Sequence, residues 1–209
     1  MLTTAPVLPA IAQSPRHVDA AEFPTQAATV QAFVPKGWQV EASVNGDLND
    51  DRKPDTVLKL IETGAENADH ARALLVLQQQ KGQWRRIGVA PHLLLCSNCG
   101  GVLGSPDGAN IQIEIKNGVL LVHQFRGSRE ATETLHRFWL DKASNRMLLI
   151  GRDVNEYDRI TGDATVESSN FLTGQKITEH YTAQKLVSRQ RSTIPRTQPT
   201  IESVNIEAL

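Results

Sequence analysis

The chain has 209 residues, 40% of them hydrophobic and 22% charged, which is enough apolar content for one packed core. Its 22 Lys+Arg nearly balance 23 Asp+Glu, and the formal net charge of -1 argues against a globally basic nucleic-acid binder. Two cysteines exclude a disulfide-dense miniprotein, and no apolar run approaches the roughly 20 residues of a membrane-spanning helix.

Residues 1–30 hold Pro6, Pro9, Pro15 and Pro24 amid Ala, Thr and Gln, with no sustained hydrophobic period, and read as a weakly ordered leader. They lack the basic start and long apolar stretch of a signal peptide. The chain is therefore either cytosolic or numbered from beyond a removed signal or lipid anchor, and the chemistry below favours the second. From residue 31 short β-rich runs alternate with turn signals, which places a single β domain over 31–185. Extended runs fall at 38–44 and 55–62. Residues 63–80 begin with a stretch compatible with a helical turn, but 71–80 read as a strand. With 83–90 this strand makes a hairpin about Lys81-Gly82.

Residues 110–116 alternate strictly, Ile111, Ile113 and Ile115 against Gln112 and Glu114, and Asn117-Gly118 then leads into 119–125. Asn-Gly between two such runs is a strong hairpin signal, because both turn positions need φ > 0. Further runs follow at 134–140, 146–151, 164–169 and 175–182. Residues 73–90 align with 136–153 at an offset of 63, setting Leu75 over Phe138 and Ile87-Gly88 over Ile150-Gly151. Two hairpins of one type predict an all-β fold of antiparallel hairpins in a propeller-like or sandwich arrangement. Residues 186–209 read as a C-terminal tail or edge strand. Trp38, Trp84 and Trp139 are expected in the core.

The chemically most specific stretch is 46–55, GDLNDDRKPD. Side-chain oxygens recur on alternate residues at Asp47, Asn49, Asp51 and Asp55, and Lys53 offers its carbonyl. Such a loop can wrap a hard cation, and Ca²⁺ accepts six to eight oxygens in a flexible shell. Three carboxylates in one turn would otherwise repel one another. An EF-hand needs Glu at the twelfth position, here Leu58, and helices on both sides. The plainer reading is a solvated acidic turn.

Cys96 and Cys99 form a C-x-x-C. Two further zinc ligands are not evident, and no helix begins at Cys96 for redox chemistry. A local disulfide is favoured, with free thiols as the alternative, and it implies an oxidising compartment. No nucleophile elbow or H-E-x-x-H occurs, and the six histidines form no ligand set, so no enzyme is expected.

The run FVPKGWQVEASVNGDLNDDRKPDTVLKL, followed by NGVLLVHQFRGS, RFWLDK, LIGRD, YDRITG and SSNFLTG, resembles exported bacterial FG-GAP-like proteins with integrin-type calcium loops. Within that group the chain is similar to periplasmic immunity proteins that inhibit secreted lysozyme-like peptidoglycan hydrolases. The resemblance implies Ca²⁺ in the acidic loop, a periplasmic location with a lipid anchor removed, and a secreted lysozyme-like effector as partner. The partner-binding residues expected are Arg126, Gly127, Ser128, Arg129 and Glu130, at the tip of a protruding hairpin. A calcium-stabilised structural or adhesion module of the envelope is the alternative.

Overall fold

A computed structural model describes residues 18–64 and 69–208. Strands β1 (Gln26–Ala27), β2 (Trp38–Gly46), β3 (Asp55–Glu62), β4 (Arg72–Gln80) and β5 (Gln83–Ala90) form an antiparallel sheet ordered β1-β5-β4-β3-β2. A second, seven-stranded meander runs β6 (Ile111–Lys116), β7 (Val119–Gly127), β8 (Glu130–Asp141), β9 (Arg146–Asp158), β10 (Ala164–Asn170), β11 (Gln175–Thr182) and β12 (Lys185–Thr193). Both sheets are open. They face each other across one core, so the arrangement is sandwich-like.

The core between the sheets joins Val57, Leu74, Val76 and Ile87 of the first to Ile111, Leu120, Val122, Phe138, Leu140, Met147 and Leu149 of the second. A second cluster covers the other face of the five-stranded sheet and takes Leu58, Leu60, Ala73, Leu75, Leu77 and Val89. Strands β3 and β4 are thus buried on both faces. Burial on both sides explains why LLVL carries no readable period.

The outer cover of that sheet corrects the reading of the leader. Residues 1–17 lie outside the described residues, but Val18 and Phe23 are buried, and Phe23 meets Trp38 edge-on at 5.5 Å. Short 3₁₀ turns at Ala20–Glu22 and Val30–Phe33 carry this segment over the sheet, where β1 pairs with β5. Pro24 follows the first of these turns without preventing burial. At the other terminus, β12 is the edge strand. The chain then returns, and Ile201, Val204 and Ile206 close the main core.

The internal repeat is real in an altered form. In β4–β5 the register shifts so that Ile87 is the extra residue, with Val76 opposite Gly88 and Leu77 opposite Arg86. In β8–β9 Ile150 is the extra residue, with Arg137 opposite Gly151 and Phe138 opposite Leu149. Each Ile-Gly marks the same β-bulge. The first strands match two residues away from the sequence alignment, because the second hairpin turns through Lys142–Asn145 rather than through two residues. An even slip keeps every side chain on its face. The hairpins are not successive blades: they lie in opposite sheets, and a Cβ on Gly88 would stand 3.2 Å from Met147 Cγ.

Of the tryptophans, Trp38 is buried as expected and Trp84 is half-buried. Trp139 lies on the outer face of β8, 38% exposed, because Phe138 and Leu140 take the inward positions.

Candidate functional site

The acidic loop connects β2 to β3, between two extended segments as its sequence implies. Leu48 anchors it in the core, 4% exposed. Asp47 turns both oxygens to the loop's own backbone. Oδ1 accepts from the amides of Asn49 (3.1 Å), Asp50 (2.6 Å) and Asp51 (3.2 Å), and Oδ2 from Arg52 at 2.7 Å. Asn49 Oδ1 accepts from Asp51 N at 2.9 Å and Asp51 Oδ1 from Lys53 N at 2.8 Å. Winding so tightly requires left-handed backbone at Asp50 (φ 63) and Arg52 (φ 65). For a residue such as Arg this costs about 1–2 kcal/mol.

The Asp47 carboxyl feels desolvation, yet the four amide bonds led by Arg52 bring it below the ordinary carboxylate range. Asp55 behaves oppositely. It is 2% exposed, and burial pushes its carboxyl up to about 6, with the charges of Asp51 and Asp47 adding to the shift and the Leu48 amide, 2.9 Å from Oδ2, opposing it. Among the described residues no three His, Cys, Asp or Glu side chains converge closely enough to share a metal ion. The donor chemistry suits a hard cation, while the geometry has Asp47 committed to amides.

Cys96 and Cys99 are joined by a disulfide, Cα atoms 5.0 Å apart. The loop that follows packs against the β7–β8 turn. Gly127 N donates to Gly100 O at 2.9 Å, and a Cβ on Gly101 would stand 2.9 Å from Gly127 O. The glycines are there for close backbone approach. A buried ionic group, not foreseen from the sequence, fastens the same loop. Glu41 pairs with Lys59 (3.2 Å) and Arg72 (2.8 Å), Lys59 Nζ donates to Gly108 O (2.8 Å), and Arg72 donates to Leu95 O (3.0 Å) and Pro106 O (2.8 Å). The available signal was a Lys inside the apolar run TVLKLIE.

The expected hairpin tip does not protrude alone. Arg129 pairs with Asp158 at 2.6 Å, and Arg159 donates to Ser128 O at 3.1 Å. The hydrogen bond from Arg129 comes first among the causes holding Asp158 down at about 2. Gln184 N then donates to Gly162 O at 2.8 Å, and Ala183 N to Asp163 Oδ1 at 3.0 Å. Three hairpin turns and the disulfide loop are therefore laced into one end of the molecule. Ser128, Arg129 and Glu130 are exposed there, Arg126 and Gly127 half-buried, and Val102 and Ile160 project, 84% and 75% exposed.

This end and the acidic loop are far apart. A Cβ on Gly118 would stand 4.0 Å from Asp47 O, so the acidic loop sits at the opposite end of β7 from Gly127. At about 3.3 Å per residue the separation is roughly 25 Å. The structure does not bring the two expected sites together.

No family model and no curated protein sequence matches this chain. Among the described residues no helix is long and apolar enough to cross a membrane.

Proposed function

We propose that the chain is a non-enzymatic binding protein of the bacterial periplasm that occludes a secreted lysozyme-like peptidoglycan hydrolase. The observation that carries this reading is the laced end. Its turns are held by hydrogen bonds and ion pairs rather than left mobile, so little conformational entropy is lost on docking. It offers projecting apolar side chains beside Arg129 and Arg159, a combination suited to an interface centre. The Cys96–Cys99 disulfide supports an oxidising compartment. The resemblance supplies the class of partner.

Ca²⁺ in this reading is held by Asp47, Asn49, Asp51, the Lys53 carbonyl and Asp55, with Asp47 exchanging amide bonds for the ion. It supplies stability to the β2–β3 connection and acts too far from the laced end to shape the interface. The test is to mix the purified protein with lysozyme-like hydrolases secreted by bacteria. A complex at micromolar concentration, inhibition of cell-wall cleavage, and loss of both in Ile160→Glu and Arg129→Glu support the proposal. Absence of inhibition and complex across such hydrolases refutes it.

A further inference from the structure

A cleft of about 520 Å³ opens on the outer face of the seven-stranded sheet, next to the laced end. Its plan follows from strand register. Ala164 on β10 lies opposite Tyr157 of β9 on one side and Tyr181 of β11 on the other. A small residue between two aromatic ones leaves a slot, with the walls rising from strands about 10 Å apart.

Both walls are fixed. Phe125 backs Tyr157, ring centroids 6.4 Å apart, and the Tyr181 hydroxyl donates to Glu179 at 2.8 Å. Glu133 enters the slot from β8 with one carboxylate oxygen 2.6 Å from His123 Nε2. At the floor, Asn155 Oδ1 is buried without a hydrogen-bond donor. A buried acceptor left unpaired costs about 1–3 kcal/mol. The lip is formed by Gln184, held left-handed (φ 64) after an equally left-handed Ala183 (φ 47). A two-residue turn of this kind ordinarily uses Asn or Gly. Strain of this sort collects at functional sites.

Two π faces, a carboxylate and a carbonyl oxygen without a donor all present negative charge density. The cations around it are engaged elsewhere: Arg159 donates to Ser128 O, Arg129 pairs with Asp158 and Arg189 with Glu179. The geometry points to a cation-receiving slot: a guanidinium or primary ammonium group lies between Tyr157 and Tyr181, donating to Asn155 Oδ1 and the Glu133 carboxylate. Aromatic faces attract such cations, and the attraction grows as water is excluded. This assignment concerns the slot itself and stands whether or not the partner proposed above is the right one. The cation belongs either to a protein side chain or to a small free amine.

The experiment is an amide-resolved NMR titration of the full chain with agmatine, with the tripeptide Gly-Arg-Gly blocked by N-acetylation and C-amidation, and with the equally blocked Gly-citrulline-Gly, which has the same shape and no charge. The Asn155 side-chain and Gln184 backbone signals should move saturably with the first two ligands, at dissociation constants of about 1–10 mM, typical of a single group. Glu133→Gln and Tyr181→Leu should each weaken binding about fivefold or more, whereas Tyr181→Phe keeps the π face and the affinity. Tighter binding of the arginine tripeptide assigns the slot to a protein side chain, and tighter binding of agmatine assigns it to a small amine. No saturable shift, or an equal response to the citrulline peptide, overturns the proposal. The same spectra show whether each variant is folded.

Discussion

Glu41 carries its charge into a site almost without water. Its side chain is 9% exposed, and Lys59 and Arg72 beside it are 5% and 0% exposed. The group holds two cations and one anion, and carbonyl oxygens of the loop over residues 95–111 take up the remaining donors. The ions are therefore clamps that fix the disulfide loop to β3 and β4. Replacing Glu41 by Gln would face two buried cations with amide hydrogens. We expect a loss of about 3–5 kcal/mol, the cost of stranding a buried charge. Denaturant titration at constant slope measures it. A loss below about 1 kcal/mol would mean that the group behaves as an exposed pair.

At the scale of single elements, the β2–β3 connection is where sequence and structure can be compared most closely. Burial beside Asp51 and Asp47 makes Asp55 harder to ionise than in the unfolded chain, so the charge it carries at neutral pH opposes folding. Asp55→Asn keeps an acceptor for the Leu48 amide and removes that charge. In chelator the variant should therefore be more stable than the parent, by on the order of 1–2 kcal/mol. If the loop takes up Ca²⁺ as proposed, the order should reverse at millimolar Ca²⁺, because the parent would gain binding energy and the variant would lack one of the proposed ligands. Thermal melts in both buffers decide it, and a parent whose Tm ignores Ca²⁺ would remove the metal from the account.

What was legible here was local. Alternating oxygens, Asn117-Gly118 with both residues left-handed (φ 52 and 75), strict alternation in β6, and the two matching Ile-Gly pairs all act within a few residues, although the register alone reveals those pairs as bulges. What was not legible depends on partners distant in sequence. Arg72 meets Glu41 across 31 positions, Val18 and Phe23 pack under a sheet formed later in the chain, and the tip residues are braced by a turn about 30 residues further on, itself tied to one about 20 residues beyond it. No periodicity encodes which surface a strand will meet.

Across the whole molecule, the two sheets differ in size, and the core stops where the smaller one ends. None of its buried residues comes from β10, β11 or β12. Along one row of the inner face, Val122, His136, Arg152, Ser169 and Lys176 lie opposite one another on successive strands, passing from apolar core to an ion pair between Lys176 and Glu167 at 2.6 Å. His136 stands at that border, 0% exposed, with neither ring nitrogen hydrogen-bonded and its ring stacked on Phe138 at 6.2 Å. Burial first, then the Arg152 charge, pushes its pKa down to about 4 from an ordinary 6.5. A histidine depressed in the folded state contributes stability that is present above pH 6.5 and is lost as pH falls through 4. The full loss is on the order of 3 kcal/mol. His136→Leu removes the titration and two unpaired nitrogens while filling similar space. Its stability should exceed the parent's, and the gap should widen between pH 6.5 and 4 as the parent alone weakens. Parallel urea titrations across that range measure the gap, and a difference that stays constant with pH would show that water already reaches the imidazole.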